Sequence, residues 1–116
     1  MQTRPQRGVI IGNNVSISTE VQILTADHDI QSRIFKGHTA PVLIGDFVFI
    51  GTRAIILKGI SLGKDSAVCA GAVVTKNVED FSVVAGVPAR EIYKRTTELD
   101  YTINYGRLFH QLNTKY

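Results

Sequence analysis

The hydrophobic residues of this chain recur with a period of six, which fits neither a helix nor an ordinary strand. An aliphatic side chain occupies every sixth position from Ile11 to Ile23, and the same period resumes from Ile44 to Val74. The residue four positions after each of them is usually small or aliphatic. A helical face repeats about every 3.6 residues and a strand face every 2. The pattern therefore predicts a stacked coil in which each six-residue unit forms one short side.

Three such units would close one triangular turn, and the turns would stack into a column. The inward aliphatic side chains of one turn would then pack on those of the turns above and below it. The next position is often Gly or another small residue, as at Gly45 and Gly51, which permits tight backbone at the corners. We therefore expect an all-β fold, a parallel β-helix of hexapeptide repeats.

The phase of the repeat predicts how this single domain, residues 1–116, is organised. Residues 5–28 hold four units and residues 38–79 hold seven more. The nine residues 29–37 between them are not a multiple of six, so we expect an excursion loop there. Residues 80–116 would form a closing turn and a C-terminal tail.

The two ends of the chain carry expectations of their own. Because the repeat already runs by about residue 5, the first turn would lack the polar cap that terminal repeats usually need. We expect further N-terminal coils or a cap, or a partner that covers this end. In the tail, the alternating residues 101–110 predict a strand or hairpin against a neighbour.

Composition indicates a soluble globular protein. The chain is 44% hydrophobic and 20% charged, and no apolar run approaches the length of a membrane span, about 18 residues. Its start has no apolar segment typical of a secretory signal. Cys69 is the only cysteine, so no internal disulfide forms, which fits the cytoplasm. A net charge of +3 is too small to indicate nucleic-acid binding.

Three segments make the pattern more specific. They are TADHD (Thr25–Asp29), PVLIGDFVFIG (Pro41–Gly51) and AGAVVTKNVEDFSVVAGVPAR (Ala70–Arg90). In this order, within the repeat, they resemble the hexapeptide-repeat acyltransferases, in particular the sugar O-acetyltransferase branch that includes maltose, galactoside and capsule or colanic acid acetyltransferases. The resemblance covers roughly residues 8–92. It implies a left-handed parallel β-helix and a homotrimer with three acetyl-CoA sites between neighbouring coils.

The resemblance also implies a catalytic histidine. His28 matches the residue that precedes the excursion in this family, and imidazole titrates near neutral pH, as a general base requires. Neutral His28 would take the proton of an acceptor hydroxyl as its oxygen attacks the acetyl-CoA thioester, without an acyl-enzyme. Asp27 or Asp29 would orient the imidazole, and the sequence does not choose between them.

Further positions match the family's contacts to acetyl-CoA. Small side chains allow the pantetheine arm to approach the backbone, cations suit the phosphates, and an aromatic ring offers an apolar wall near the acetyl group. The residues expected in these roles are Thr52 and Ala70 for pantetheine, Thr75, Lys76 and Arg90 for the nucleotide end, and Phe49 for the wall. In the excursion and directly after it, Arg33, Phe35, Lys36 and His38 would shape an acceptor pocket on a neighbouring subunit or would form a polar surface loop.

These expectations combine into an acetyl-CoA-dependent O-acetyltransferase that acts on a sugar or a polysaccharide precursor and needs no metal, nucleic acid or membrane insertion. Two alternatives come from other classes. A zinc trimer of the carbonic anhydrase kind would use three histidines, and this chain has His28, His38 and His110, without the paired spacing of those enzymes. A non-catalytic β-helix would serve as a trimerisation or CoA-binding module.

Overall fold

The computed structural model describes residues 8–96, which form short β-strands joined by tight corners. The strands are β1 (Val9–Ile11), β2 (Ser16–Ile17), β3 (Gln22–Ile23), β4 (Ala26–His28), β5 (Gly37–Thr39), β6 (Val42–Ile44), β7 (Phe49–Ile50), β8 (Ile55–Ile56), β9 (Ser61–Leu62), β10 (Ala67–Val68), β11 (Val73–Val74), β12 (Ser82–Ala85) and β13 (Arg90–Lys94). Within this described part of the chain, no helix is long and apolar enough to cross a membrane.

Parallel sheets form the three sides of the coil. The first side is β1-β6-β9, the second is β2-β7-β10-β12, and the third is β3-β8-β11. The register places Ile17 against Ile50 and Ile50 against Val68, so inward residues of the repeat stack coil upon coil. The all-β prediction is confirmed, and the fold is a left-handed parallel β-helix.

The core is the column enclosed by these sides. Its fully buried aliphatic members come from both inward positions of the repeat, and they include Val42, Val48, Ile50, Ile56, Val68 and Val74. At the corners the coils approach so closely that side chains are excluded. A Cβ added to Gly51 would lie 2.6 Å from the backbone N of Ala70, closer than atoms can pack. Glycine at this corner is therefore a packing requirement.

The predicted excursion is an antiparallel hairpin that is longer than the expected loop. Strands β4 and β5 pair in the register Ala26↔Thr39, Asp27↔His38 and His28↔Gly37. Six residues that the repeat count assigned to coils or to a plain loop therefore belong to hairpin strands, because they pair with each other. The coil resumes at Val42, the first residue of β6.

The C-terminal end of the column also differs from the predicted boundary. Strand β12 pairs in parallel with β10, so the coil continues past residue 79 to Ala85. The predicted turn follows, with Gly86 at φ +97° and a cis bond between Val87 and Pro88. Strand β13 then returns antiparallel on β12. The predicted element at 101–110, like the first residues of the first unit, lies outside the described residues.

Candidate active site

His28 is held by the turn of its own hairpin. It ends strand β4, and its Nδ1 lies 2.9 Å from the backbone carbonyl oxygen of Phe35. The Phe35 ring stacks on the imidazole, with ring centroids 4.2 Å apart and planes 5° from parallel. Because a carbonyl oxygen can only accept, the neutral imidazole carries its proton on Nδ1 and donates it to Phe35. The lone pair of Nε2 then remains available on an exposed side chain.

Asp27 lies on the other face of the hairpin. Neighbouring residues of a strand point to opposite faces, so Asp27 shares its face with its partner His38 and His28 does not. The Asp27 carboxylate lies 3.5 Å from the ammonium group of Lys58, one coil further along the column. The alternation of the strand therefore directs this carboxylate toward the coil.

Asp29 stabilises the hairpin turn. Its carboxylate accepts a hydrogen bond from the backbone N–H of Gln31 at 2.9 Å, and its own N–H donates to the carbonyl of Lys36 at 2.8 Å. An Asp side chain that accepts a bond from the N–H two residues later is typical of turns. The group that binds the imidazole is thus the Phe35 carbonyl, where the sequence favoured a carboxylate of Asp27 or Asp29.

One edge of the column collects several of the predicted residues. This edge, called here the base edge, follows the third side and carries the His28 hairpin after β3, Lys58 after β8, and Thr75 and Lys76 after β11. Lys58 and Lys76 stand at equivalent positions of adjacent coils, since Ile56 is in register with Val74. Lys58 was not predicted at this edge from the sequence, although it occupies the same position in its repeat unit as Lys76.

Lys76 and Arg90 line a common cavity of about 380 Å³ at the C-terminal end of the column. Glu79 and Glu91 also line it, so the cavity holds charges of both signs. The hydroxyl of Ser82 donates to Glu91, and this bond, more than the Lys94 ammonium group, lowers the pKa of the Glu91 carboxyl.

Among residues 8–96, Lys94 is the other ionised group whose pKa departs clearly from its usual value. Its ammonium group donates to Glu79 at 2.8 Å and lies 3.4 Å from Glu91, and these partners raise its pKa. The two acidic residues of the cavity rim are therefore paired with Lys94. Lys76 and Arg90 both have exposed side chains.

The remaining predicted donor residues lie elsewhere on the column. Thr52 and Ala70 are exposed at the opposite edge of the third side, where the carbonyl of Thr52 accepts from the N–H of Gly71 at 2.9 Å. Phe49 lies in the second side, with 38% of its surface exposed. The third side separates these residues from His28, so the described chain distributes the predicted donor contacts over two edges.

The predicted acceptor residues lie on or beside the exposed hairpin turn. Arg33, Lys36 and His38 are exposed, whereas Phe35 contacts the His28 of its own chain. For metal chemistry, no three His, Cys, Asp or Glu side chains of residues 8–96 are grouped so that they could hold an ion. His110, required by the zinc alternative, lies outside the described part.

A family model and known proteins match this chain. The model described as the hexapeptide repeat of succinyl-transferase matches residues 41–76, which run from β6 past β11. Galactoside O-acetyltransferase of Escherichia coli (strain K12) is 36% identical over 87 residues, which cover 72% of this chain and 43% of that protein. The chain spans about half the length of the curated relatives it matches.

Solved structures agree with these matches. A maltose O-acetyltransferase from Clostridium difficile 630 superposes with a TM-score of 0.73 at 39% identity, covering 77% of this chain and 49% of that one. A galactoside acetyltransferase in complex with coenzyme A superposes with a TM-score of 0.71 at 30% identity, covering 83% of this chain and 52% of that one. The chain belongs to the hexapeptide-repeat acetyltransferase family, and galactoside and maltose O-acetyltransferases are among its homologues.

Proposed function

We propose that this protein transfers the acetyl group of acetyl-CoA to a hydroxyl group of a sugar or of a glycan precursor. The observation that carries the proposal is the contact of His28 Nδ1 with the Phe35 carbonyl at 2.9 Å. That bond selects the tautomer whose Nε2 can accept a proton, which is the state a general base needs. The homology to galactoside and maltose O-acetyltransferases supports acetyl-CoA as donor and a sugar as acceptor.

The proposed reaction is a direct transfer. Nε2 of His28 takes the proton of the acceptor hydroxyl while that oxygen attacks the thioester carbonyl carbon. The tetrahedral intermediate then collapses, the carbon–sulfur bond breaks, and the imidazolium returns the proton to the CoA thiolate. The acceptor leaves as its acetyl ester and CoA leaves as the thiol, so His28 ends in its starting state. A backbone N–H of a neighbouring coil would stabilise the oxyanion.

Donor binding is proposed along the base edge. Lys76 and Arg90 share one cavity, where an ammonium and a guanidinium group suit the phosphates of CoA. Thr75 precedes Lys76 at the same corner, and His28 lies about two coil spacings away, or about 10 Å along the column axis. This order would extend the nucleotide end toward the C-terminal coils and the thioester toward His28.

A homotrimer would complete the site. Thr52, Ala70 and Phe49 lie across the third side or on the second side, away from His28. If the base edge of one subunit faces the opposite edge of its neighbour, both sets of donor residues line a single cleft. In that arrangement Arg33, Lys36 and His38 of the hairpin would contact the acceptor. Asp27 and Asp29 would support the base indirectly, by holding its hairpin.

The test combines donor binding with turnover. Purified protein is titrated calorimetrically with acetyl-CoA, its oligomeric mass is measured, and acetylation of a panel of mono- and oligosaccharides is followed by CoA thiol release. His28→Ala should lower turnover by about 10²- to 10⁴-fold, the usual contribution of a general base, while acetyl-CoA affinity stays within about twofold. Turnover that survives His28→Ala in a folded protein would remove His28 from the mechanism. Absence of acetyl-CoA binding by the folded trimer would favour the non-catalytic alternative.

A further inference from the structure

We propose that Phe35 is a positioning residue that holds His28 in its basic tautomer and in one ring orientation. The proposal rests on the proposed function and names a residue that acts on the base without touching the substrate. Phe35 contributes two contacts from one position, its carbonyl to Nδ1 at 2.9 Å and its ring to the face of the imidazole at 4.2 Å between centroids.

The two contacts restrict different motions of the histidine. The carbonyl bond fixes which nitrogen carries the proton. In water a free histidine side chain prefers the proton on Nε2, so the protonated Nδ1 is a state that the protein imposes. The parallel ring of Phe35 blocks rotation of the imidazole out of its plane, and aromatic pairs of this kind add stability beyond their buried area. Together they leave Nε2 accessible in one direction.

The backbone at Phe35 has a conformation that Phe47 and Phe81 share elsewhere in the described chain. Phe35 has φ +52°, in the left-handed region that bulky residues rarely adopt. Its N–H donates to the carbonyl of Ser32 at 3.1 Å, and the Ser32 N–H donates to Asp29 at 3.0 Å. These bonds hold the turn without the Phe35 side chain. The position of the Phe35 carbonyl is therefore set by the hydrogen bonds of the turn.

Other apolar residues of the turn show that the contact with His28 is specific to Phe35. Ile34 and Ile30 are 81% and 82% exposed, whereas Phe35 is 57% exposed with one ring face against His28. Ile34 therefore offers a matched control on the same turn. Asn is the informative replacement at both positions, because it tolerates the left-handed conformation and removes the apolar side chain.

The experiment compares Phe35→Asn, Phe35→Tyr and Ile34→Asn in the whole chain. In Phe35→Asn we expect kcat to fall about tenfold, the scale of one aromatic pair, with the KM for acetyl-CoA within about twofold of the parent. Phe35→Tyr keeps the ring and should restore kcat to within about threefold. Ile34→Asn should change neither parameter, since the Ile34 side chain is largely exposed and takes no part in the stacking on His28.

A nitrogen-15 spectrum of the imidazole supplies a readout that does not need turnover. The parent and Phe35→Tyr should show the Nδ1–H tautomer of His28. Phe35→Asn keeps the backbone carbonyl but loses the ring that holds the imidazole against it, so its spectrum should show a mixture of the Nδ1–H and Nε2–H forms. An unchanged spectrum and unchanged kcat in Phe35→Asn would overturn the proposal, as would an equal loss in Ile34→Asn. If the parent transfers no acetyl group, the proposed function fails, and the spectra still decide whether Phe35 controls His28.

Discussion

The first coil and the second coil carry the same hydrophobic pattern, but their inward residues differ in burial. Inward residues Ile11 and Ile17 are 49% and 38% exposed, whereas their register partners Ile44 and Ile50 are 3% and 0% exposed. Coils contact only their neighbours, so an inward residue is buried only when a coil lies on both sides. Hydrophobic periodicity therefore predicts which side chains point inward, and the position of the coil in the stack decides how far those side chains are buried.

The same contrast holds for the two parts of the proposed site. The base leaves the column next to the exposed first coil, and a hairpin of its own holds it through the Phe35 contacts. The cations Lys76 and Arg90 lie at the other end, in a cavity bordered by the return of β13 on β12. Local contacts within the hairpin therefore hold His28 in place, whereas the long side chains of Lys76 and Arg90 stay exposed, where a ligand could contact them.

The largest effect expected from this contrast is on stability. Ile50→Ala should lower the free energy of unfolding by about 2–5 kcal/mol, because it leaves a cavity in a fully enclosed column. Ile17→Ala, at the same position one coil earlier, should cost about 1 kcal/mol, since less apolar area returns to water. Urea unfolding of both variants measures the difference. Equal losses would show that the first coil is covered in the assembled protein.

How far the sequence predicted the molecule can be judged from the same residues. The period of six predicted correctly that Ile50, Ile56 and Val74 point inward, because direction in a coil is a local property. It missed the true length of the hairpin, because residues 26–28 could pair with either a coil or residues 37–39. Which of the two pairings forms depends on their relative free energies in the folded chain, and the hydrophobic period gives no information on that difference.

The candidate site divides in the same way. Lys76 and Arg90, both expected at the nucleotide end from the motif, line one cavity, and the motif gave no sign of the acidic residues beside them. Sequence proximity suggested Asp27 or Asp29 as the partner of His28. Strand alternation turns Asp27 to the other face, and the Asp29 carboxylate accepts from the backbone of the turn. The Phe35 carbonyl belongs to the backbone, and every residue has one, so the sequence could not identify it as the partner of His28.

A second and smaller effect tests the cation end. Lys76→Ala and Arg90→Ala should each weaken acetyl-CoA binding about five- to tenfold, the scale of one charge-assisted contact to phosphate, and kcat at saturating donor should stay nearly constant. The loss should shrink in high salt, which screens exposed charges. Lys64→Ala, an exposed lysine after β9 on a different edge, is the matched control. Acetyl-CoA affinity is measured by calorimetric titration. Equal affinities in all three variants would show that this cavity does not bind the phosphates of the donor.

The smallest effect expected is the pH dependence of the closed end. The pKa of Glu91 is lowered in the folded protein by the Ser82 hydroxyl and by Lys94, so its contribution to stability is present above the ordinary carboxyl pKa, about 4.3. The contribution is lost as pH falls through the lowered pKa. Lys94 has the opposite sign: its raised pKa stabilises the fold below its usual value and ceases to do so as pH rises through the raised one.

Glu91→Gln separates this pair from the rest of the fold. Thermal unfolding of the parent and of Glu91→Gln should differ at pH 7 and converge as pH falls through the lowered pKa of Glu91, where the parent carboxylate becomes protonated as well. A difference that stays constant across this range would assign the effect to lost packing. Glu91 and Lys94 lie on β13, so convergence would also show that charge pairing helps to hold the strand that closes the column. Within the described residues, no strand covers the first coil in the same way.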